Sequence, residues 1–211
     1  MWKHLFFCFL FVVTAGHAQT VLIYGDSLSA GYGMEPEQAW PSLIAQRWQQ
    51  DQPWTIVNAS VSGETTQGGL ARMPAALAAH QPSLVLLELG ANDGLRGYQL
   101  SATKQNLQRM VELSQQQGAQ VILAEMMIPP NYGPRYSKAF SQIYRDLATE
   151  LNIELLPFFL ETVAVEQTLM QADGLHPNVN AQPLIADLIE PWLHKHLLRQ
   201  QIGASKLKKA P

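Results

Sequence analysis

Cysteine is almost absent from this sequence. The one cysteine, Cys8, falls within the first ten residues. The remainder of the chain therefore has no disulfide, no cysteine nucleophile and no thiolate metal site. Long apolar runs are missing too: the longest, Leu5 to Val13, falls well short of the roughly 20 residues that a membrane-spanning helix needs. Basic charge is sparse. The formal net charge is −3, and no basic patch exists on the scale that nucleic acid would require. The one basic cluster, Lys206, Lys208 and Lys209, sits in a terminal tail of the kind that frays in solvent. Ser205-Lys206-Leu207 spells a peroxisomal address, but that address acts only at the extreme C-terminus. Neither G-x-G-x-x-G nor P-loop spacing occurs, so the glycine loops carry no nucleotide signature.

The first 18 residues differ from the rest. Lys3 and His4 precede the apolar stretch, and Thr14-Ala15-Gly16-His17-Ala18 follows it. A basic start, a short apolar core and a small-x-small ending make a secretory signal peptide, with cleavage expected after Ala18. Residues 1–18 are thus expected to be a leader and 19–211 a single domain. Cys8 lacks the small-residue context of a lipoprotein cysteine. The expected product is a soluble periplasmic or secreted monomer with no stable membrane insertion.

Past the leader, apolar runs alternate with helical spacing. Strands are expected at Val21–Tyr24, Thr55–Asn58, Leu84–Leu89 and Val121–Ala124, with a weaker one near Ile153–Leu156. Between them, Trp40, Leu43, Ile44 and Trp48 share a helix face. So do Leu107, Met110, Val111 and Leu113, and likewise Phe140, Ile143, Tyr144 and Leu147. A last helix is expected from about Ala181 to Leu198, with Leu184, Ile185, Leu188, Ile189 and Trp192 inward. Strands separated by helices argue for an α/β domain, doubly wound about a parallel sheet. Such sheets bind ligands beyond the carboxyl ends of their strands. The residues found there are Gly25-Asp26-Ser27, Gly63-Glu64, Gly90-Ala91-Asn92-Asp93-Gly94 and Ile128-Pro129-Pro130-Asn131-Tyr132-Gly133. Asp173-Gly174-Leu175-His176-Pro177 comes just before the last helix.

These loops assemble a candidate chemistry. Of six histidines, only His176 has an acid three residues earlier in a Gly/Pro-punctuated loop. Asp173 could hold one ring nitrogen and leave the other as a base. On spacing alone, a turn cap at Asp173 and a satisfied loop histidine weigh about equally. His194 and His196 could be surface or cap residues. No second His or Cys lies within ligand spacing of His176, so no metal and no cofactor are expected. Ser27, at a strand-to-helix turn, is a poor nucleophile until a base takes its proton. Helix-start N–H groups beside it, the Gly63 N–H and the Asn92 amide would suit a developing oxyanion. The expected set is Ser27, Asp173 and His176 for catalysis, with Ser27, Gly63 and Asn92 as oxyanion donors. Asp26 and Asp93 are expected to hold loops through backbone N–H groups. Glu64 is expected to be solvated or capping, and Glu88 needs a partner that the sequence does not name.

The motif is not the G-x-S-x-G elbow of α/β-hydrolases. Gly25-Asp26-Ser27-Leu28, Gly63, Gly90-x-Asn92-Asp93 and Asp173-x-x-His176 instead match, in order, the four blocks of the GDSL or SGNH hydrolases. The longer strings GDSLSAGYGM, SGETTQGG, GANDGLRG, IPPNYG and DGLHPN resemble the exported thioesterase, lysophospholipase and arylesterase branch of that family. The resemblance implies a flavodoxin-like three-layer α/β/α sandwich, no metal, and hydrolysis of acyl thioesters, lysophospholipid esters and aryl esters. It also implies that the segments Leu95–Gln99 and Ile128–Tyr136 border an acyl groove. An acyl chain needs an apolar trough near Ser27, and Leu95, Tyr98, Ile128, Pro129, Tyr132 and Leu175 could supply it, as could Met126 and Met127. Core or loop packing accounts for each of these about as well. Two other functions stay open at this point: a carbohydrate acetyl esterase of the same fold, and a lipid-binding protein without catalysis.

Overall fold

The computed structural model describes residues 19–207. The expected leader, with Cys8, lies outside the described residues. Five strands form one sheet: β1 (Gln19–Gly25), β2 (Trp54–Asn58), β3 (Leu84–Glu88), β4 (Gln120–Ala124) and β5 (Glu154–Leu156). Each overlaps an expected apolar run. The order is β2-β1-β3-β4-β5 and every pairing is parallel. Residues 21–25 of β1 and all of β3 are buried. Their continuous Val/Ile/Leu runs are what a strand covered on both faces requires.

The covering helices are α1 (Ser27–Ala30), α2 (Trp40–Asp51), α3 (Thr66–His80), α4 (Ala91–Leu95), α5 (Leu100–Gln116), α6 (Pro134–Glu150) and α7 (Gln182–Leu207). α2 packs with α7, while α3 packs with α5 and α5 with α6, giving a layer on each side of the sheet. This is the three-layer α/β/α architecture. Helix faces follow the apolar spacing: Trp40, Ile44 and Trp48 of α2 are buried, as are Phe140, Ile143, Tyr144 and Leu147 of α6. The buried stripe of α3 is Thr66, Gly69, Met73 and Leu77; the Thr65 hydroxyl caps its start at the Gly68 N–H (3.3 Å). A Cβ at Gly69 would come within 2.5 Å of Leu89, so only glycine permits that approach. Among the described residues, no helix is long and apolar enough to cross a membrane.

The inward face of α7 differs from expectation. Ile185, Ala186, Ile189, Leu193 and Leu197 are fully buried, whereas Leu184 is 50% exposed and Leu188 is 38% exposed. The 184/188 and 185/189 stripes are adjacent on a helix, and both are apolar. Packing against α2 selects the second. The same packing buries His196, for which the sequence leaves a surface or cap position open. Its Nδ1–H donates to the Trp192 carbonyl (2.8 Å). His194 meets the edges of Trp48 and Trp54 instead.

Because β1 has β2 on one side and β3 on the other, the winding reverses between β1 and β3. Their carboxyl ends flank the crevice where such sheets bind ligands. There Gly25 pairs in register with Glu88. The rotation of α7 can be measured. Ile189→Ala should lower the unfolding free energy by about 2–5 kcal/mol. Leu184→Ala should change it by about 0.5 kcal/mol or less. Urea titration of both variants checks this, and equal losses would place the leucine stripe inward.

Candidate active site

β1 ends at Gly25, and Asp26 caps the short helix that follows by accepting the Leu28 N–H (3.1 Å). Ser27 is the first residue of that helix and is half-buried. The helix closes one turn later at Gly31, in the left-handed region (φ 75°) that favours glycine. The chain so shaped carries the Ser27 hydroxyl out at the sheet edge.

The acid and the histidine come from one loop. Met170 and Pro177 bridge across its base, and the Gln171 N–H donates to the His176 carbonyl (2.8 Å). Asp173 Oδ1 accepts the N–H groups of Leu175 (2.9 Å) and His176 (3.0 Å). Asp173 Oδ2 lies 2.6 Å from His176 Nδ1, and His176 Nε2 lies 2.8 Å from Ser27 Oγ. Slight burial pushes the Asp173 carboxyl up, but its hydrogen bonds from His176 and Leu175 outweigh this and bring it down to about 2. An ionised carboxylate can only accept, so the neutral form of this imidazole carries its proton on Nδ1. Nε2 is then free to accept the Ser27 hydroxyl proton.

The other two segments are fastened to the two residues before Ser27. The loop after β2 is tied to β1 by Val61 N–H to the Gly25 carbonyl (3.1 Å) and by Gly25 N–H to Ser60 Oγ (3.0 Å). It turns at Gly63 (φ 77°), whose carbonyl accepts Arg96 Nη2 (3.2 Å). Asn92, in α4 beyond β3, donates from Nδ2 to Asp26 Oδ2 (3.0 Å). The three expected catalytic residues thus form one hydrogen-bonded chain. Of the two further expected donors, Gly63 sits in a loop fastened to the end of β1, and Asn92 sits in α4, bonded to Asp26 just past that end.

Among the expected substrate residues, Tyr98, Tyr132 and Leu175 are exposed, and Leu95 and Pro129 are half-buried. Their segments are joined: Tyr132 Oη donates to the Leu95 carbonyl (2.9 Å) and Tyr136 Oη to the Gly94 carbonyl (3.2 Å). Ile128 is 5% exposed and packs where a Cβ on Gly94 would touch it (2.7 Å), below the exposed members of the set. Met126 is likewise buried.

The acids resolve individually. Asp93 accepts the Thr66 N–H (2.8 Å) and hydroxyl (2.5 Å), binding α3 to α4 as expected of a loop-holding acid. Of the two alternatives for Glu64, solvated or capping, the second fits: its Oε1 accepts the Thr65 N–H (3.2 Å) at the start of α3, and its Oε2 pairs with Arg72 (2.7 Å). The partner that Glu88 lacked is the start of α1: its Oε2 accepts Ser29 Oγ (2.7 Å) and Asp26 N–H (3.2 Å). Burial, then the neighbouring Asp26 charge, lifts Glu88 well above the usual carboxylate range. Burial also lifts Asp26, to about 6, against its hydrogen bonds from Leu28 and Asn92.

Two contacts were missed from sequence. The Tyr32 ring lies 4.4 Å from the His176 ring, centroid to centroid. Gln171 Nε2 donates both to the Tyr32 carbonyl (2.7 Å) and to the Pro177 carbonyl (3.0 Å), clamping the histidine loop to the chain beyond Ser27. An aromatic between Gly31 and Gly33 was the only available signal.

Residues 23–182 match the family described as GDSL-like lipase/acylhydrolase. The chain is 50% identical over 196 residues to thioesterase 1/protease 1/lysophospholipase L1 of Escherichia coli K12, covering 92% of this chain and 91% of that one. It is 47% identical over 194 residues to an arylesterase of Vibrio mimicus, covering 92% and 96%. Among solved structures, the psychrotrophic esterase EstA from Pseudoalteromonas sp. aligns with a TM-score of 0.82 at 44% identity, covering 85% of this chain and 98% of that one.

The raised carboxyls have a testable cost. In the unfolded chain Glu88 would ionise near its ordinary 4.5, whereas in the fold it keeps its proton to higher pH. The native state therefore loses stability relative to the unfolded chain as pH rises from about 4.5 toward the folded value. Glu88→Gln should flatten that decline in unfolding free energies measured from pH 4 to 8. A decline as steep as the wild type's would mean that Glu88 is not its source.

Proposed function

The chain belongs to the GDSL-like lipase/acylhydrolase family and is a carboxylic ester hydrolase; from that premise we propose a serine mechanism with Ser27 as nucleophile, His176 as base and Asp173 as its orienter. The observation that carries this is the unbroken hydrogen-bond chain from Ser27 Oγ through both nitrogens of His176 to Asp173. Ser27 Oγ attacks the ester carbonyl carbon while its proton passes to Nε2. The resulting imidazolium is stabilised by the ionised Asp173. The carbonyl oxygen, now negative, is met by the N–H groups of Ser27 and Gly63 and by the Asn92 amide. Collapse expels the alcohol or thiol, which takes the proton from Nε2 and leaves an acyl-serine. Water then repeats the sequence, giving up its proton to Nε2, and releases the acid. No cofactor enters.

The proposed substrates are acyl thioesters, lysophospholipid esters and aryl esters, as the names of the relatives suggest. Leu95, Tyr98, Pro129, Tyr132 and Leu175 offer apolar surface to the acyl chain, with Ile128 supporting the loop from below. We also propose that residues 1–18 are removed on export and that residues 19–211 act as one monomeric domain in the periplasm or medium. Sequencing the exported protein should then find Gln19 at its N-terminus.

Purified enzyme should hydrolyse p-nitrophenyl esters from acetyl to palmitoyl, and Ser27→Ala should lose this activity with its fold intact. Unchanged turnover in Ser27→Ala would remove the nucleophile. Turnover confined to the acetyl ester would favour a deacetylase. Asn92→Ala should lower kcat on the order of 10²-fold with little change in KM, because an oxyanion donor acts in the transition state. A change in KM alone would make Asn92 a binding residue.

A further inference from the structure

Two buried carboxyls lie under the site, and the proposed reaction uses neither. Asp26 is 1% exposed and Glu88 is fully buried. Among the described residues no cation forms an ion pair with either. Two neighbouring buried carboxyls without a cation resist ionising together. Their surroundings differ. Asp26 accepts an N–H on each oxygen, from Leu28 on Oδ1 and from Asn92 on Oδ2, which suits the charged form. Glu88 lies deeper and takes its hydrogen bonds on one oxygen, from Ser29 and from the Asp26 backbone. Glu88 therefore keeps the proton and Asp26 carries the charge.

That charge has a specific consequence for Asn92. A primary amide has an oxygen end and a nitrogen end of nearly equal size, and little but hydrogen bonding decides which way it faces. Facing a developing oxyanion, the nitrogen end stabilises and the oxygen end repels. A carboxylate can accept only from the nitrogen end. It takes one of the two amide hydrogens, fixing the plane and leaving the second hydrogen free.

We propose that Asp26 is a positioning residue for the oxyanion site, holding the Asn92 amide so that its second N–H meets the substrate's carbonyl oxygen. The inference rests on the Ser27-centred hydrolysis proposed above. Asp26 never touches the ester. It acts through Asn92, and Glu88 with Ser29 fixes the backbone from which it acts.

The test is a double-mutant cycle. Asp26→Asn keeps a good helix cap, since asparagine caps as well as aspartate, but it can turn an amide nitrogen toward Asn92. Asp26→Ser also keeps the cap and leaves Asn92 unheld, which covers the case in which the first variant folds poorly. Melting temperature and near-ultraviolet circular dichroism identify the folded variants. We expect kcat on p-nitrophenyl butyrate to fall by roughly 10-fold or more with KM within about twofold, approaching the loss from deleting the donor. In an Asn92→Ala background the same substitution should change kcat by less than about twofold, because the residue through which Asp26 acts is already gone. Equal fold-losses in both backgrounds, or an unchanged kcat in folded Asp26→Asn, would overturn the inference. Ser27→Ala, assayed alongside, separates the two layers. If it stays active, the underlying mechanism fails. If it is dead while the Asp26 and Asn92 effects multiply, only the positioning role fails.

Discussion

The contact on which the site depends is the approach of Gly25 to Glu88. At the carboxyl ends of β1 and β3, a Cβ on residue 25 would lie 2.3 Å from Glu88 Oε2. Glycine leaves that space to a carboxyl, and the carboxyl uses it to hold the first turn of α1 through Asp26 N–H and Ser29 Oγ. The position of Ser27, between those two residues, follows from this clamp. So does the position of Asp26, which reaches across to Asn92 at the end of the neighbouring strand. The nucleophile's turn and the amide's loop are thus joined by acids rather than by apolar packing, at the one place where the winding of the sheet reverses.

Burying two acids is costly, and a hydrophobic filler would be simpler. What acids add is direction. Leu28 N–H and Asn92 Nδ2 each have one oxygen to meet, and a methyl group would leave both unanchored. The surrounding segments are fastened in the same way, by directed hydrogen bonds. Asp93 ties α3 to α4, and Tyr132 and Tyr136 tie the end of α4 to the segment before α6 and to α6 itself. Fixed donors and acceptors need not reorganise when charge develops, which is the basis of electrostatic catalysis.

The strands were legible because burial on both faces leaves a run of consecutive apolar residues, as in β3 from Leu84 to Leu87. The residues of the proposed catalytic set drew attention because Ser27, Asn92 and the Asp173–His176 pair sit just past strand or loop ends where polar residues need a reason. Less could be read where two answers look alike locally. α7 presents two adjacent apolar stripes, and only its packing partner chooses between Leu184 and Ile185. Ile128 has the composition of a groove residue and the depth of a core residue. Glu88 finds its partners about 60 residues earlier in the chain, at Ser29 and Asp26. Tyr32 meets His176 through a loop closure that no spacing encodes.

Asp173 and His176 are separated by three residues, while His176 and Ser27 are 149 residues apart. The two halves of the relay therefore have different origins in folding. The acid and the base form a local unit that needs only the closing of one turn. The bond to the hydroxyl requires β1, the full sheet and α7 to have brought the two ends of the domain together, and long-range closures come at greater entropic cost than local ones. A chain folded only in part would hold an oriented histidine with nothing to deprotonate. The proposed acyl transfer thus depends on the long-range closure as well as on the local pair.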